Sequence, residues 1–218
     1  MVDRVFPDRY YVKNEFPDRE EAGTPNILGA ITLGAAIDVL DQIGMKNVLD
    51  EDTHLTHYCM EEMLSIPEVV IYGCTDSSLR AGTISFNIKQ LDHGLAAAIL
   101  NDYFNIAVRN ECFCAHPYVE KMLELTHRIQ IYEARAKNNT NWHTEPWMGM
   151  VRVSFGIYNT PSDVDHFTHA LKDIISKQKE YASHYSINKH GDYEHKTFEF
   201  SCSEYFSLSK NVQNELKL

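Results

Sequence analysis

A helix-start pattern followed by a long apolar segment is the feature that most constrains how this chain can fold. Thr24 and Pro25 suit the N-cap and the first helical position, and Gly44 suits the residue after the last turn. Between them, apolar residues recur at helical spacing: Ile27, Ile31, Ala35, Val39 and Ile43. Free N–H groups at a helix start attract anions, so the sequence predicts either an anion site at Thr24 or an ordinary Thr-Pro cap.

Composition excludes several classes of function. The 218 residues suffice for one sizeable domain, alone or with an extension. A net charge of −11 argues against nucleic acid or an anionic membrane as the main partner, because both require a basic surface. No apolar run approaches the roughly 20 residues that span a bilayer, and the polar N-terminus is unlike a signal peptide. Five cysteines without framework spacing favour a reducing, cytoplasmic location.

Short strands and helices follow the first helix without a regular strand–helix–strand rhythm. This favours an α+β fold, in which a small, mostly antiparallel sheet has helices packed on one face. The predicted strands cover residues 69–72, 82–88, 106–109 and 150–155. The predicted helices after the first cover residues 48–64 and 92–104, then start near Pro117 and Pro161.

The chain is divided into three parts by composition. Residues 1–18, rich in Pro, Asp and Tyr, are predicted to form an extended N-terminal arm. Residues 19–181 form the folded domain, with a long loop or insertion over residues 118–148. Residues 182–218 are polar and aromatic and are predicted to be a tail with one short strand at Thr197–Phe200.

Four segments, in order, resemble the class V aminotransferase family of pyridoxal-phosphate enzymes, in particular its cysteine desulfurase and selenocysteine lyase group. They are residues 19–26 (Arg-Glu-Glu-Ala-Gly-Thr-Pro-Asn), 80–87 (Arg-Ala-Gly-Thr-Ile-Ser-Phe-Asn), 108–117 (Val-Arg-Asn-Glu-Cys-Phe-Cys-Ala-His-Pro) and 151–160 (Val-Arg-Val-Ser-Phe-Gly-Ile-Tyr-Asn-Thr). The resemblance implies the C-terminal small domain of fold-type I pyridoxal-phosphate enzymes.

Roles for two residues follow from this resemblance. Thr24 corresponds to the threonine that contacts the cofactor phosphate of the other subunit, which implies a homodimer. Arg152 corresponds to the arginine that binds the α-carboxylate of an amino acid substrate. A guanidinium suits that role because its planar fork makes two parallel hydrogen bonds to a carboxylate. Strand alternation places the Arg152 side chain on the other face of the strand from Val151 and Val153. The alternative to substrate binding is that Arg152 is an exposed strand arginine or forms a salt bridge.

The loop at residues 108–117 contributes a thiol. By resemblance, Cys114 is the nucleophile that takes sulfur or selenium from the substrate as a persulfide. Arg109, assigned with Arg152 to substrate binding, supplies positive charge that favours a thiolate. Glu111 stands where the family's loop has glycine, which predicts a stiffer loop and a less favoured thiolate. The alternative is that Cys114 is a small buried hydrophobe.

The resemblance also implies that something is missing. In this family a lysine that precedes the Gly-Thr-Pro-Asn segment binds pyridoxal phosphate covalently, and no equivalent lysine precedes Gly23 in a matching context. The His195-Lys196 pair lies far downstream and is interpreted as unrelated. We therefore expect a large-domain partner, a separate polypeptide or a missing N-terminal part, to supply that lysine.

Two other interpretations stay open. The chain is alternatively a non-catalytic binding or dimerisation module that keeps the small-domain fold. A third interpretation is a metal site at Cys112, Cys114 and His116. One residue between the cysteines is not a zinc-site spacing, and no second pair stands at zinc-finger distance, so no metal is predicted.

Overall fold

The computed structural model describes residues 1–123 and 149–198. The contacts divide the chain into two compact units, Met1–Asp50 and the residues from Glu51 onward. The boundaries predicted at residues 19 and 182 stay predictions. Most of the predicted insertion, with Trp142 and Trp147, lies outside the described residues, and so do Cys202 and most of the predicted tail.

The predicted N-terminal arm begins with a β-hairpin. Strands β1 (Val2–Val5) and β2 (Tyr10–Val12) pair antiparallel. The turn between them is closed by the Phe6 N–H, which donates to the Arg9 carbonyl at 2.7 Å. Lys13 Nζ contacts Asp18 Oδ2 at 2.6 Å, and this ion pair connects the hairpin to the segment that follows.

Helix α1 (Ile27–Ile43) begins two residues later than the sequence predicts. Its N-cap is Asn26, whose Oδ1 accepts the Gly29 N–H at 2.9 Å. The prediction that Thr24 caps the helix is therefore wrong, because the Asn26 side chain satisfies the free amide instead. Thr24 is exposed, and its hydroxyl makes no hydrogen bond to the other described residues.

The surface of α1 is apolar and exposed to solvent. None of its 17 residues is buried. Apolar patches of this kind mark surfaces that another protein or segment covers. The large exposed side chains are Ile27, Leu28, Ile31, Leu33, Ile37, Val39 and Ile43.

A four-stranded antiparallel sheet is the framework of the second unit. Its strands lie in the order β3 (Val69–Tyr72), β4 (Thr83–Ile88), β6 (Met150–Ser154) and β5 (Arg109–Glu111). Ile84, Phe86 and Ile88 of β4 are buried at every second position, as expected for a sheet with one covered face. The α+β class predicted from the sequence is confirmed.

Helices cover that apolar face. Helix α2 (Met45–Leu64), α3 (His93–Phe104) and α5 (Pro161–Ser176) contribute buried side chains to the same core as β4 and β6. Phe86 and Phe167 meet edge to face, with ring centroids 5.7 Å apart. Helix α4 (His116–Met122) follows β5 and buries Val119.

Two predicted helix starts are confirmed. Asp92 caps α3 and accepts the N–H groups of Gly94 and Leu95 at 2.8 and 3.3 Å. Pro161 opens α5, and Asp163 Oδ2 accepts the Thr160 N–H at 2.8 Å. The hydrogen bond from the Thr160 N–H lowers the pKa of Asp163, since it stabilises the charged form of that carboxylate.

The last described residues form a hairpin that the sequence did not indicate. After α6 (Gln178–Ser183), strands β7 (Tyr185–Ile187) and β8 (Tyr193–His195) pair antiparallel. Tyr185 is buried and donates a hydrogen bond to Asp102 Oδ2 at 2.9 Å, which connects the hairpin to α3. The strand predicted at Thr197–Phe200 is wrong for its two described residues, which are not in a strand.

No single helix among residues 1–123 and 149–198 is long and apolar enough to cross a membrane. Helices α1 and α2 pass such a test only when they are counted together, across the break at Gly44.

We expect the Phe86→Ala variant to lose roughly 3–5 kcal/mol of unfolding free energy, because it leaves a cavity where the sheet meets the helices. Phe86 is fully buried. The control is Tyr158→Ala, which removes an aromatic ring that is 83% exposed and should cost far less. Urea unfolding followed by circular dichroism measures both, and equal losses would contradict this description of the core.

Candidate functional site

A row of side chains crosses all four strands on the uncovered face of the sheet. Tyr72 lies opposite Ser85, Ser85 opposite Arg152, and Arg152 opposite Arg109. Residues directly opposite each other in antiparallel strands project to the same face. The alternate residues Val151 and Val153 point into the core, as the sequence predicts. We call these four residues the polar row.

Arg152 is the central residue of the polar row. Its side chain is half-buried, and its Nε is buried without a hydrogen-bond partner among the described residues. The guanidinium carbon lies 5.1 Å from the centre of the Phe113 ring, a cation–π distance. A buried donor without a partner costs free energy, so this side chain is suited to bind an anion.

Arg109 stands beside Arg152 on the neighbouring strand. Like charges placed directly opposite each other are destabilising unless something between them compensates. Within residues 1–123 and 149–198, neither arginine forms an ion pair with an acidic side chain. A chain of net charge −11 therefore has a local cationic pair on this face.

The end of β5 and the loop between β5 and α4 adopt an unusual backbone. Glu111, Phe113 and Cys114 have φ angles of 78°, 54° and 58°, in the left-handed region that favours glycine. Glu111 thus adopts a backbone conformation that glycine ordinarily favours. The backbone at Glu111 passes so close to Gly149 that no side chain can be accommodated there: a Cβ on Gly149 would lie 2.6 Å from the Glu111 Cα.

The cysteines of the described chain differ sharply in environment. Cys114 is exposed, so the interpretation of it as a buried hydrophobe is wrong. Cys59 is buried in the core, and burial raises its pKa to about 12. Cys74 is exposed, and Cys112 is half-buried with its Sγ 3.0 Å from His116 Nε2.

The predicted site residues fall into two groups. Arg152 and Arg109 lie side by side, and Phe113, next to Cys114, contacts Arg152. Thr24 belongs to the other compact unit, so its role at a cofactor phosphate stays a prediction. The Thr24 hydroxyl, which has no hydrogen bond to the other described residues, can donate one to a phosphate oxygen. The buried Nε–H of Arg152 can donate one to a substrate carboxylate.

Three polar residues near the arginines were not predicted from the sequence. Ser85 and Tyr72 belong to the polar row, and Asn87 donates to the Gly149 carbonyl at 2.9 Å. Burial raises the pKa of Tyr72, which keeps its hydroxyl neutral. A sequence pattern that could have identified Ser85 and Asn87 is the alternation along β4, where Thr83, Ser85 and Asn87 alternate with buried residues.

Metal binding gains no support from side-chain positions. In the part of the chain that the structure describes, no group of three or more His, Cys, Asp and Glu side chains is placed to hold an ion. Cys112 and His116 form a pair without a third ligand among residues 1–123 and 149–198.

Comparisons with known proteins agree on one family. The model of the aminotransferase class-V family matches residues 1–167. A protein of Synechocystis sp. named "Probable cysteine desulfurase" is 33% identical over 80% of this chain and 36% of its own length. The cysteine desulfurase of Cronobacter sakazakii is 34% identical over 71% of this chain and 32% of its own length. The chain thus spans about a third of the length of the relatives it matches.

Solved structures give the same result. The apo cysteine desulfurase of Thermococcus onnurineus matches with a TM-score of 0.60 and 31% identity, over 80% of this chain and 37% of that one. A cysteine desulfurase from Escherichia coli matches with a TM-score of 0.59 and 24% identity, which shows the fold alone. With the family match over most of its length, this chain belongs to the aminotransferase class-V family.

Proposed function

We propose that the chain is the C-terminal part of a pyridoxal-phosphate-dependent, cysteine desulfurase-like enzyme, related to selenocysteine lyase, that acts on an amino acid. One observation carries the proposal: two arginines without acidic partners in the described chain stand side by side next to the loop that bears Cys114. The location that suits this function is the cytoplasm, where thiols stay reduced.

Arg152 binds the α-carboxylate in this proposal. Its planar fork can make two parallel hydrogen bonds, and the buried Nε gains the partner it otherwise lacks. Arg109 adds a second positive charge on the same face. The Phe113 ring covers one side of the Arg152 guanidinium and limits its contact with water.

Cys114 receives the substrate sulfur in this proposal. The thiol is exposed, as an attacking group on a loop must be. Thr24 binds the cofactor phosphate of a second subunit, and the assembly is a homodimer. When bound, pyridoxal phosphate supplies the electron sink for bond breaking at the substrate.

A large-domain polypeptide supplies the cofactor lysine in this proposal. Two observations support a partner: the chain spans about a third of the length of its relatives, and α1 exposes large apolar side chains along its whole length. Covering them releases hydrophobic free energy.

The amino acid site can be tested on the chain alone. We expect L-cysteine to shift the NMR signal of the Arg152 Nε–H, and Arg152→Lys to weaken binding by about tenfold or more, because lysine cannot form the bidentate contact. Arg9→Lys, on the exposed N-terminal hairpin, is the matched control. Equal affinity of both variants would overturn the assignment of Arg152.

The partner can be tested by reconstitution. We expect a large-domain polypeptide carrying the cofactor lysine to bind this chain, restore the visible absorbance of bound cofactor and release sulfur from L-cysteine. Leu28→Glu, which puts a charge on the apolar surface of α1, should weaken assembly by about tenfold or more, because it buries a carboxylate. The control, Leu79→Glu, changes a leucine of similar exposure in the second unit.

Size-exclusion chromatography and turnover measure the result. Assembly without any turnover would favour the alternative, a binding or dimerisation module. Equal assembly of the Leu28→Glu and Leu79→Glu variants would contradict the role of α1.

A further inference from the structure

A thiol–imidazole pair lies beside Cys114 and has no role in the proposed function. Cys112 Sγ lies 3.0 Å from His116 Nε2, within hydrogen-bond distance. A tight turn brings the two side chains together, since the Ala115 N–H donates to the Cys112 carbonyl at 2.8 Å. A nucleophile in contact with a base is the arrangement that activates a thiol.

We propose that Cys112, with His116 as its base, is a second sulfur-accepting site, to which the outer sulfur of a persulfide is transferred. The Cys112 thiol can perform this chemistry whether or not a partner polypeptide is bound. Its link to Cys114 rests on the proposed function, in which Cys114 carries the first persulfide.

The contrast among cysteines supports this assignment. Of the four described cysteines, Cys112 alone contacts a histidine. Cys59 lies in the core beside Met63, where a neutral thiol is favoured. Cys74 and Cys114 are exposed and have no side-chain hydrogen bond within the described ranges.

Charges of both signs lie near the pair: the Glu111 carboxylate precedes Cys112 in the chain, and the Arg152 guanidinium contacts Phe113. Phe113 separates Cys112 from Cys114 in the chain, and its ring lies against the Arg152 guanidinium. Arg152 has a buried Nε without a partner in the described chain, so its guanidinium can attract a negatively charged donor.

The transfer step balances without an external oxidant. His116 takes the proton of Cys112, and the thiolate attacks the outer sulfur of the persulfide. A new sulfur–sulfur bond forms at Cys112 while the sulfur–sulfur bond of the donor breaks. Its electron pair stays on the inner sulfur, which leaves as a thiolate and takes the proton from His116. One sulfane sulfur moves, and the number of thiols does not change.

Alkylation of the intact chain tests the activated thiol. With iodoacetamide at neutral pH and mass-spectrometric mapping, we expect Cys112 to react about tenfold faster than Cys74 in the same molecule. His116→Asn should reduce Cys112 to the rate of Cys74 and move its rate–pH profile to that of Cys74. His169→Asn, which changes an exposed histidine of α5, is the matched control and should leave both unchanged.

A low-mass persulfide tests the transfer itself. After treatment with cysteine hydropersulfide, we expect the added sulfur on Cys112 in the wild-type chain and in Cys114→Ser, and its loss from Cys112 in His116→Asn. A Cys112 rate equal to that of Cys74, or insensitive to His116→Asn, overturns the proposal. Sulfur found on Cys74 but not on Cys112 also overturns it. Failure of reconstitution changes none of these results, so the two proposals fail separately.

Discussion

The antiparallel pairing of β5 and β6 is the constraint on which the candidate site depends. It places Arg109 directly opposite Arg152 and, through β4, aligns Ser85 with both. The opposite faces of the same strands carry Val151, Val153 and Phe86 into the core. A slip by one residue would exchange the two faces, so burial of the apolar side chains is also what holds the arginines on the open face.

Local patterns predicted much of this fold. The alternation along β6 placed the Arg152 side chain on the face opposite to that of its buried neighbours, and the helices predicted to begin near residue 92 and near Pro161 do so. Such features depend on residues within one turn or one strand. The predicted N-cap of α1 was wrong because Asn26, two residues after Thr24, also carries a side-chain oxygen that can accept the free amide, and only the geometry selects between the two.

Other features required the three-dimensional structure. Ser85 and Tyr72 meet the arginines through strand register, which is set by residues far apart in the chain. The contact of Cys112 with His116 depends on a turn next to residues with positive φ, a conformation that their side chains do not indicate. The hairpin of β7 and β8 is held by Tyr185 and Asp102, 83 residues apart.

The left-handed residues of the β5–α4 loop have a consequence for motion. Each non-glycine residue held in this region stores about 1–3 kcal/mol, which the flanking strand and helix must offset. Three such residues lie within four positions, from Glu111 to Cys114. A segment with this much backbone strain is expected to unfold locally at a lower free-energy cost than an unstrained loop. Cys112 and Cys114 both lie in this segment, so local opening displaces the two thiols together.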